Sequence, residues 1–94
     1  MNRMPVECPS CRHRLAVRRL TCAHCGTAVE GEFPLPPLAA LGEADQQFVT
    51  EFVKASGSLK DMAHLLGVSY PTVRNRLDEV IGRLAALEQE GRDE

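Results

Sequence analysis

Four cysteines stand in two Cys-x-x-Cys pairs, Cys8-Pro9-Ser10-Cys11 and Cys22-Ala23-His24-Cys25, with ten residues between the pairs. Each pair can close a tight turn whose two thiolates and backbone amides face a common point. Two such turns, brought together by a short hairpin, give a tetrahedral set of four sulfurs, the closed coordination of one structural Zn2+. Cys8, Cys11, Cys22 and Cys25 are therefore the expected metal ligands. Four protein ligands leave no open position, so the metal is expected to hold the fold and not to catalyse. Iron also accepts four thiolates, but the spacing fits a ribbon better than an iron–sulfur run. Two disulfides would need an oxidising compartment. A redox pair would sit in a larger βαβ setting, which this sequence does not spell. His13 and His24 adjoin the pairs and are read as exposed neighbours, not as ligands.

A second constellation runs from Leu59 to Leu77 and has the dimensions of a helix-turn-helix. Ala63 is small where two helices would cross, Gly67 permits a left-handed turn, and Val68 and Val73 would pin the angle. Ser69 is placed as an N-cap, with Pro71 in the first turn of the next helix. On that helix Thr72 and Asn75 point away from the Val73/Leu77/Val80/Leu84 face, and Arg74 and Arg76 flank it. Outward residues at the start of a recognition helix reach base edges, and flanking arginines clamp phosphates. Ser69, Tyr70, Thr72, Arg74, Asn75 and Arg76 are the candidate DNA-contacting residues. Solvated surface charge is the plainer account of Arg74 and Arg76.

The elements that must position these residues fall into three zones. Residues 1–33 read as a zinc ribbon, a short antiparallel sheet. Leu15-Ala16-Val17 and Leu20 supply its hairpin, and Thr27–Phe33 a third strand. Residues 34–42 hold Pro34, Pro36 and Pro37 and favour an extended, semi-rigid linker. Residues 43–94 read as an all-helical domain. Its first helix runs from about Glu43 to Ala55 and ends at Ser56-Gly57-Ser58. A second covers Leu59 to Leu66 and buries Met62, Ala63 and Leu66. A long third runs from about Tyr70 to Gln89, with Val73, Leu77, Val80, Ile81, Leu84 and Leu87 on one face. The 4, 3, 4, 3 spacing of Val73, Leu77, Val80, Leu84 and Leu87 serves either an internal core or a core extended into a homodimer seam. Gly82 interrupts this helix and fits close packing.

Composition bounds the rest. Ninety-four residues make one modest domain or two very small ones. Aromatic residues are only 4% of the chain, so a ring-walled pocket is not expected. No apolar run is long enough to span a membrane. The opening Met1-Asn2-Arg3-Met4-Pro5 leads into no apolar stretch, and a cytoplasmic location is expected. The net charge is −2. Residues 1–32 set five arginines against three glutamates, and residues 33–94 set six basic side chains against ten acidic ones. Within residues 54–77, Lys54, Lys60, Arg74 and Arg76 face Asp61 alone. Arg12, Arg14, Arg18 and Arg19 on the ribbon are candidates for extra phosphate contacts.

With both constellations in view, Gly67-Val68-Ser69-Tyr70-Pro71-Thr72-Val73-Arg74-Asn75-Arg76-Leu77 resembles the recognition segment of LuxR-type output domains and of sigma-factor region four. From about Val6 to Leu84 the chain resembles the bacterial family catalogued as domain of unknown function 2089. The likeness rests on Cys8-Pro9-x-Cys11, Leu20-x-Cys22-x-x-Cys25-Gly26-Thr27, Glu30-Gly31-x-Phe33, Phe48-Val49-x-x-Phe52-Val53, Gly57-x-Leu59-Lys60-x-Met62, and Leu66 through Asp78. It implies a zinc ribbon joined to a helix-turn-helix and brings no established activity.

The leading expectation is a small transcriptional regulator that binds DNA through its helix-turn-helix. The alternative is a protein-binding adaptor that contacts RNA polymerase, a sigma factor or another regulator, its acidic flank suiting a basic partner surface. An enzyme is not expected, since no Ser/His/Asp set, phosphate loop or open metal site is present and His13, His24 and His64 have no evident acid–base partners. A thiol switch that releases metal under peroxide is a further, lesser alternative.

Overall fold

The computed structural model describes residues 4–92. Strands β1 (Ala16–Thr21) and β2 (Ala28–Pro34) are followed by helices α1 (Pro37–Ala40), α2 (Glu43–Lys54), α3 (Leu59–Leu66) and α4 (Tyr70–Arg92). The chain divides into two compact units, Met1–Ala40 and Leu41–Glu94.

In the first unit β1 and β2 pair antiparallel, from Ala16 opposite Pro34 to Thr21 opposite Ala28. The hairpin therefore spans the second cysteine pair and is not confined between the two pairs, as the spacing had suggested. The expected third strand is β2, the direct partner of β1. An isolated bridge, Glu7 to Arg14, closes the segment around the first pair. The register slips between Val17 and Arg19. There Gly31 leaves room for the Phe33 ring, whose Cζ would lie 2.8 Å from a Cβ at residue 31. Residues 37–40, expected extended, instead form the single turn α1.

In the second unit the core is Leu41, Phe48, Met62, Ala63, Val73 and Val80. Leu41, read as linker, is 2% exposed and belongs to this core. Leu77, Leu84 and Leu87 pack against it, so the regular spacing on α4 serves the core of this unit. Two residues assigned to the buried faces are in fact half exposed, Leu66 at 49% and Ile81 at 51%. Leu66 is the last residue of α3, where the chain is already turning away. Ile81 follows Val80 by one residue, about 100° round the helix from the buried stripe. Gly82 borders open space, with nothing near a Cβ there, so close packing does not account for it.

Local chemistry sets the helix ends. Ser58 accepts the Asp61 amide at 3.1 Å and so caps α3. Gly67 ends α3 at φ +68°, with Val68 N–H bonded to the Ala63 carbonyl and Gly67 N–H to that of His64. This is the paired closure that a left-handed glycine allows. α2 closes in the same way, with Gly57 N–H on the Phe52 carbonyl and Ser56 in the left-handed region. Among the described residues no helix is long and apolar enough to cross a membrane.

Candidate metal knuckles and nucleic-acid interface

Both cysteine pairs fold into the same turn. Arg12 N–H donates to the Cys8 carbonyl at 2.9 Å, and Gly26 N–H donates to that of Cys22 at 2.8 Å. Cys8 N–H donates to the His13 carbonyl, and Cys22 N–H to that of Thr27. The residue after each pair is left-handed, Arg12 at φ +65° and Gly26 at φ +80°. Gly26 takes this conformation without strain, whereas Arg12 has a Cβ to accommodate. The two segments are thus equivalent knuckles although only one carries glycine at that position.

Hydrogen bonds prepare the thiols. The backbone N–H of Cys11 is the chief cause that holds the Cys8 thiol below its ordinary pKa, followed by that of Ser10. Cys25 is also lowered, first by the Thr27 hydroxyl, whose oxygen lies 3.0 Å from the sulfur. Donors aimed at sulfur favour the thiolate, the form that binds metal. Thr27 follows Cys25-Gly26 as His13 follows Cys11-Arg12, so its hydroxyl is a feature of the second knuckle alone.

The donor chemistry fits zinc, but the arrangement is two pairs and not one shell. One knuckle precedes β1 and the other follows it. Among the described residues no three His, Cys, Asp or Glu side chains gather at metal-holding range. Cys11, Cys22 and Cys25 are exposed and Cys8 is half-buried. The ribbon arginines are already engaged: Arg12 with Glu7 at 3.8 Å, Arg18 with Glu32 at 3.3 Å, and Arg19 with Glu30 at 3.6 Å. Arg14 donates to the Ala40 carbonyl at 3.4 Å.

In the second unit Ser69 caps α4. Its hydroxyl accepts the Thr72 amide at 3.3 Å and lies 2.8 Å from the Thr72 hydroxyl. The predicted residues of this face then separate into two groups. Tyr70, Thr72, Arg74 and Asn75 are exposed, and Arg74 pairs with Asp78 one turn on at 3.5 Å. Arg76 turns inward instead. Its guanidinium lies 3.0 Å from Asp45, 3.7 Å from Glu79 and 5.9 Å from the centre of the Phe48 ring.

Asp45 is the feature that sequence reasoning missed. It is only 6% exposed. Arg83 donates to both of its oxygens, from Nε to Oδ2 and from Nη2 to Oδ1 at 2.9 Å. The hydrogen bond to Asp45 is the first cause that raises the Arg83 pKa. Arg76 and Arg83 are seven residues apart, hence on one stripe of α4 beside the stripe of Val73 and Val80. One buried carboxylate on α2 therefore fixes the roll of α4 at two points. The i, i+7 arginines were visible in sequence, but their partner lies more than thirty residues away. A groove of about 470 Å³ opens between α2 and the start of α4, lined by Phe48, Leu66, Val68, Thr72, Val73 and Arg76 among others.

Fold and site define a zinc-ribbon module followed by a helix-turn-helix module, a combination that suggests a nucleic-acid-binding protein. Residues 8–39 match the family described as DUF2089 zinc ribbon, and residues 41–87 match Domain of unknown function (DUF2089)-HTH. The chain belongs to the DUF2089 family. No curated protein and no solved structure matches it.

Proposed function

We propose that this protein is a cytoplasmic, non-enzymatic transcriptional regulator that reads DNA with the first two turns of α4. The observation that carries the reading is the capped start of that helix. Ser69 and Gly67 fix the turn, and Tyr70, Thr72, Arg74 and Asn75 are exposed over the first two turns of the helix. Arg74 is the phosphate-contacting cation and Asn75 and Thr72 are the base-reading residues. Arg76 supports the helix from behind. Cys8, Cys11, Cys22 and Cys25 are the ligands of one structural zinc ion. The matching knuckles and their lowered thiols support this assignment.

The test is selection of bound fragments from a sheared bacterial genome by the zinc-loaded protein at about 0.15 M salt, where weak nonspecific binding is suppressed. A shared motif that is lost with Arg74→Ala supports the reading. A folded, metalated protein that enriches nothing refutes it.

One observation favours a second reading, an adaptor that contacts RNA polymerase, a sigma factor or another regulator. The groove beside α4 is apolar, and Leu66 and Val68 in its lining are exposed at 49% and 42%. Apolar surface of this kind marks protein contact sites. Arg74→Glu would abolish a DNA complex and leave an adaptor complex largely intact.

A further inference from the structure

Arg76 follows Thr72 by one turn, and both border the groove between α2 and α4. The rise between them is about 6 Å. If Thr72 reads a base edge, the Arg76 side chain therefore starts from the turn whose flanks lie nearest the phosphates. Its guanidinium is held elsewhere. Nη2 lies 3.0 Å from Asp45 Oδ1, and the guanidinium carbon lies 5.9 Å from the centre of the Phe48 ring. Arg83 engages both oxygens of the same carboxylate. The Asp45 side chain is only 8% exposed, whereas those of Arg76 and Arg83 keep 35% and 46% of their surface in water. The carboxylate is the fixed member of the cluster, and the long arginines are the members able to swing away from it.

Stability alone is a weak reason for a carboxylate at this position. Buried ion clusters gain little over apolar side chains of similar volume, because desolvation offsets their attraction. Glu79 lies 3.7 Å from Arg76 and 3.8 Å from Arg83, but it is exposed, and exposed pairs exchange readily. Asp45 is thus the group that keeps Arg76 turned inward.

We propose that Asp45 limits the DNA affinity of α4 by withholding Arg76 from phosphate. Asp45 is a positioning residue: it touches no DNA and acts through the arginine it holds. Without its charge Arg76 extends beside Thr72 and gains one phosphate contact, whatever the base sequence. This deepens the DNA assignment of α4 and stands only with it.

The experiment titrates the intact, zinc-loaded protein onto a short fluorescent duplex of mixed sequence between about 0.05 and 0.2 M salt. The proteins are wild type, Asp45→Asn, Arg76→Ala, the double variant Asp45→Asn with Arg76→Ala, and Glu79→Gln. Circular dichroism checks the folding of each. Asp45→Asn should steepen the log–log salt slope by about 0.9, the value of one phosphate contact. Its advantage over wild type should then grow about threefold from 0.2 to 0.05 M salt. A merely structural role for Asp45 would weaken binding instead. Arg76→Ala should keep the wild-type slope, and the double variant should return to it. An unchanged slope in Asp45→Asn overturns the proposal. A gain that survives in the double variant, or that Glu79→Gln matches, also overturns it, since loss of any negative charge would then suffice. Should Asp45→Asn fail to fold, Arg76→Ala decides: a slope lower by about 0.9 means that Arg76 already contacts phosphate, and the proposal falls. A wild-type protein that binds no duplex even at the lowest salt overturns the DNA assignment and the proposal together.

Discussion

Two glycines in the second unit should respond to the same substitution with opposite sign. At Gly67 a new Cβ would meet nothing within 4 Å, so the effect of Gly67→Ala comes from the backbone alone. The residue sits at φ +68° and ψ 32°. An L-residue there costs about 1–2 kcal/mol, offset by roughly 0.4–1 kcal/mol because alanine stiffens the unfolded chain. The net expectation is a loss of about 1 kcal/mol. Gly82 also borders open space, but it lies in the middle of α4 with no positive φ. Gly82→Ala should therefore stabilise the helix by about 1 kcal/mol through propensity. For so small a unit, 1 kcal/mol moves the thermal midpoint by roughly 4–8 °C. Thermal and urea unfolding of the intact chain, followed by far-UV circular dichroism, reports chiefly the second unit, which holds every helix except the one-turn α1. A midpoint that rises with Gly67→Ala would refute the left-handed turn between α3 and α4. One that falls with Gly82→Ala would refute open space at that position.

Further outcomes follow from the same contacts. Asp45→Asn should lower the thermal midpoint by several degrees and expose α4 to proteolysis, since the amide cannot neutralise Arg76 and Arg83; an unchanged midpoint would show that the ion cluster is not a clamp. Arg74→Ala should weaken DNA binding evenly across sequences and reduce the log–log salt slope by about 0.9, with stability unchanged in urea. Arg76→Ala should chiefly lower stability, so equal salt-slope effects from the two variants would contradict the inward placement of Arg76. Arg12→Gly should stabilise the first knuckle by about 1 kcal/mol, read as tighter retention of zinc against a chelator; weaker retention would contradict the equivalence of Arg12 and Gly26.

What was legible in the sequence was local. The bounds of α3, the glycine that ends it and the serine that caps α4 depend on residues close together in sequence, and all were readable; the Ser58 cap of α3 was not singled out. The apolar spacing of Val73, Leu77, Val80, Leu84 and Leu87 located the buried stripe of α4, which packs on the core of the second unit. The pairing of β1 with β2 across the second knuckle was not legible, because Leu15-Ala16-Val17 and Leu20 suit either half of a short hairpin or one continuous strand. Asp45 was invisible for a different reason. A first-turn acid on a helix ordinarily favours the helix dipole from the surface, and nothing nearby in sequence shows that this one is buried under two arginines.

The placement of the cations changes what DNA binding would require. Counted along the chain, residues 54–77 form a basic centre between acidic flanks. In three dimensions Lys54 lies 3.8 Å from Glu51, Arg74 lies 3.5 Å from Asp78, and Arg76 is shared between Asp45 and Glu79. A phosphate that approaches Arg74 must displace an exposed carboxylate, and one that approaches Arg76 must compete with a buried one. Exposed pairs such as Arg74–Asp78 are weak and exchange readily. The cluster around Asp45 is held by several hydrogen bonds at once and is expected to stay closed. A single helical unit thus offers few phosphate contacts, and its affinity at physiological salt should be low. A dimer that presented two helical units to neighbouring half-sites would compensate through effective concentration. On this argument a paired site should be bound far more tightly than a single half-site, and equal binding to the two would refute it.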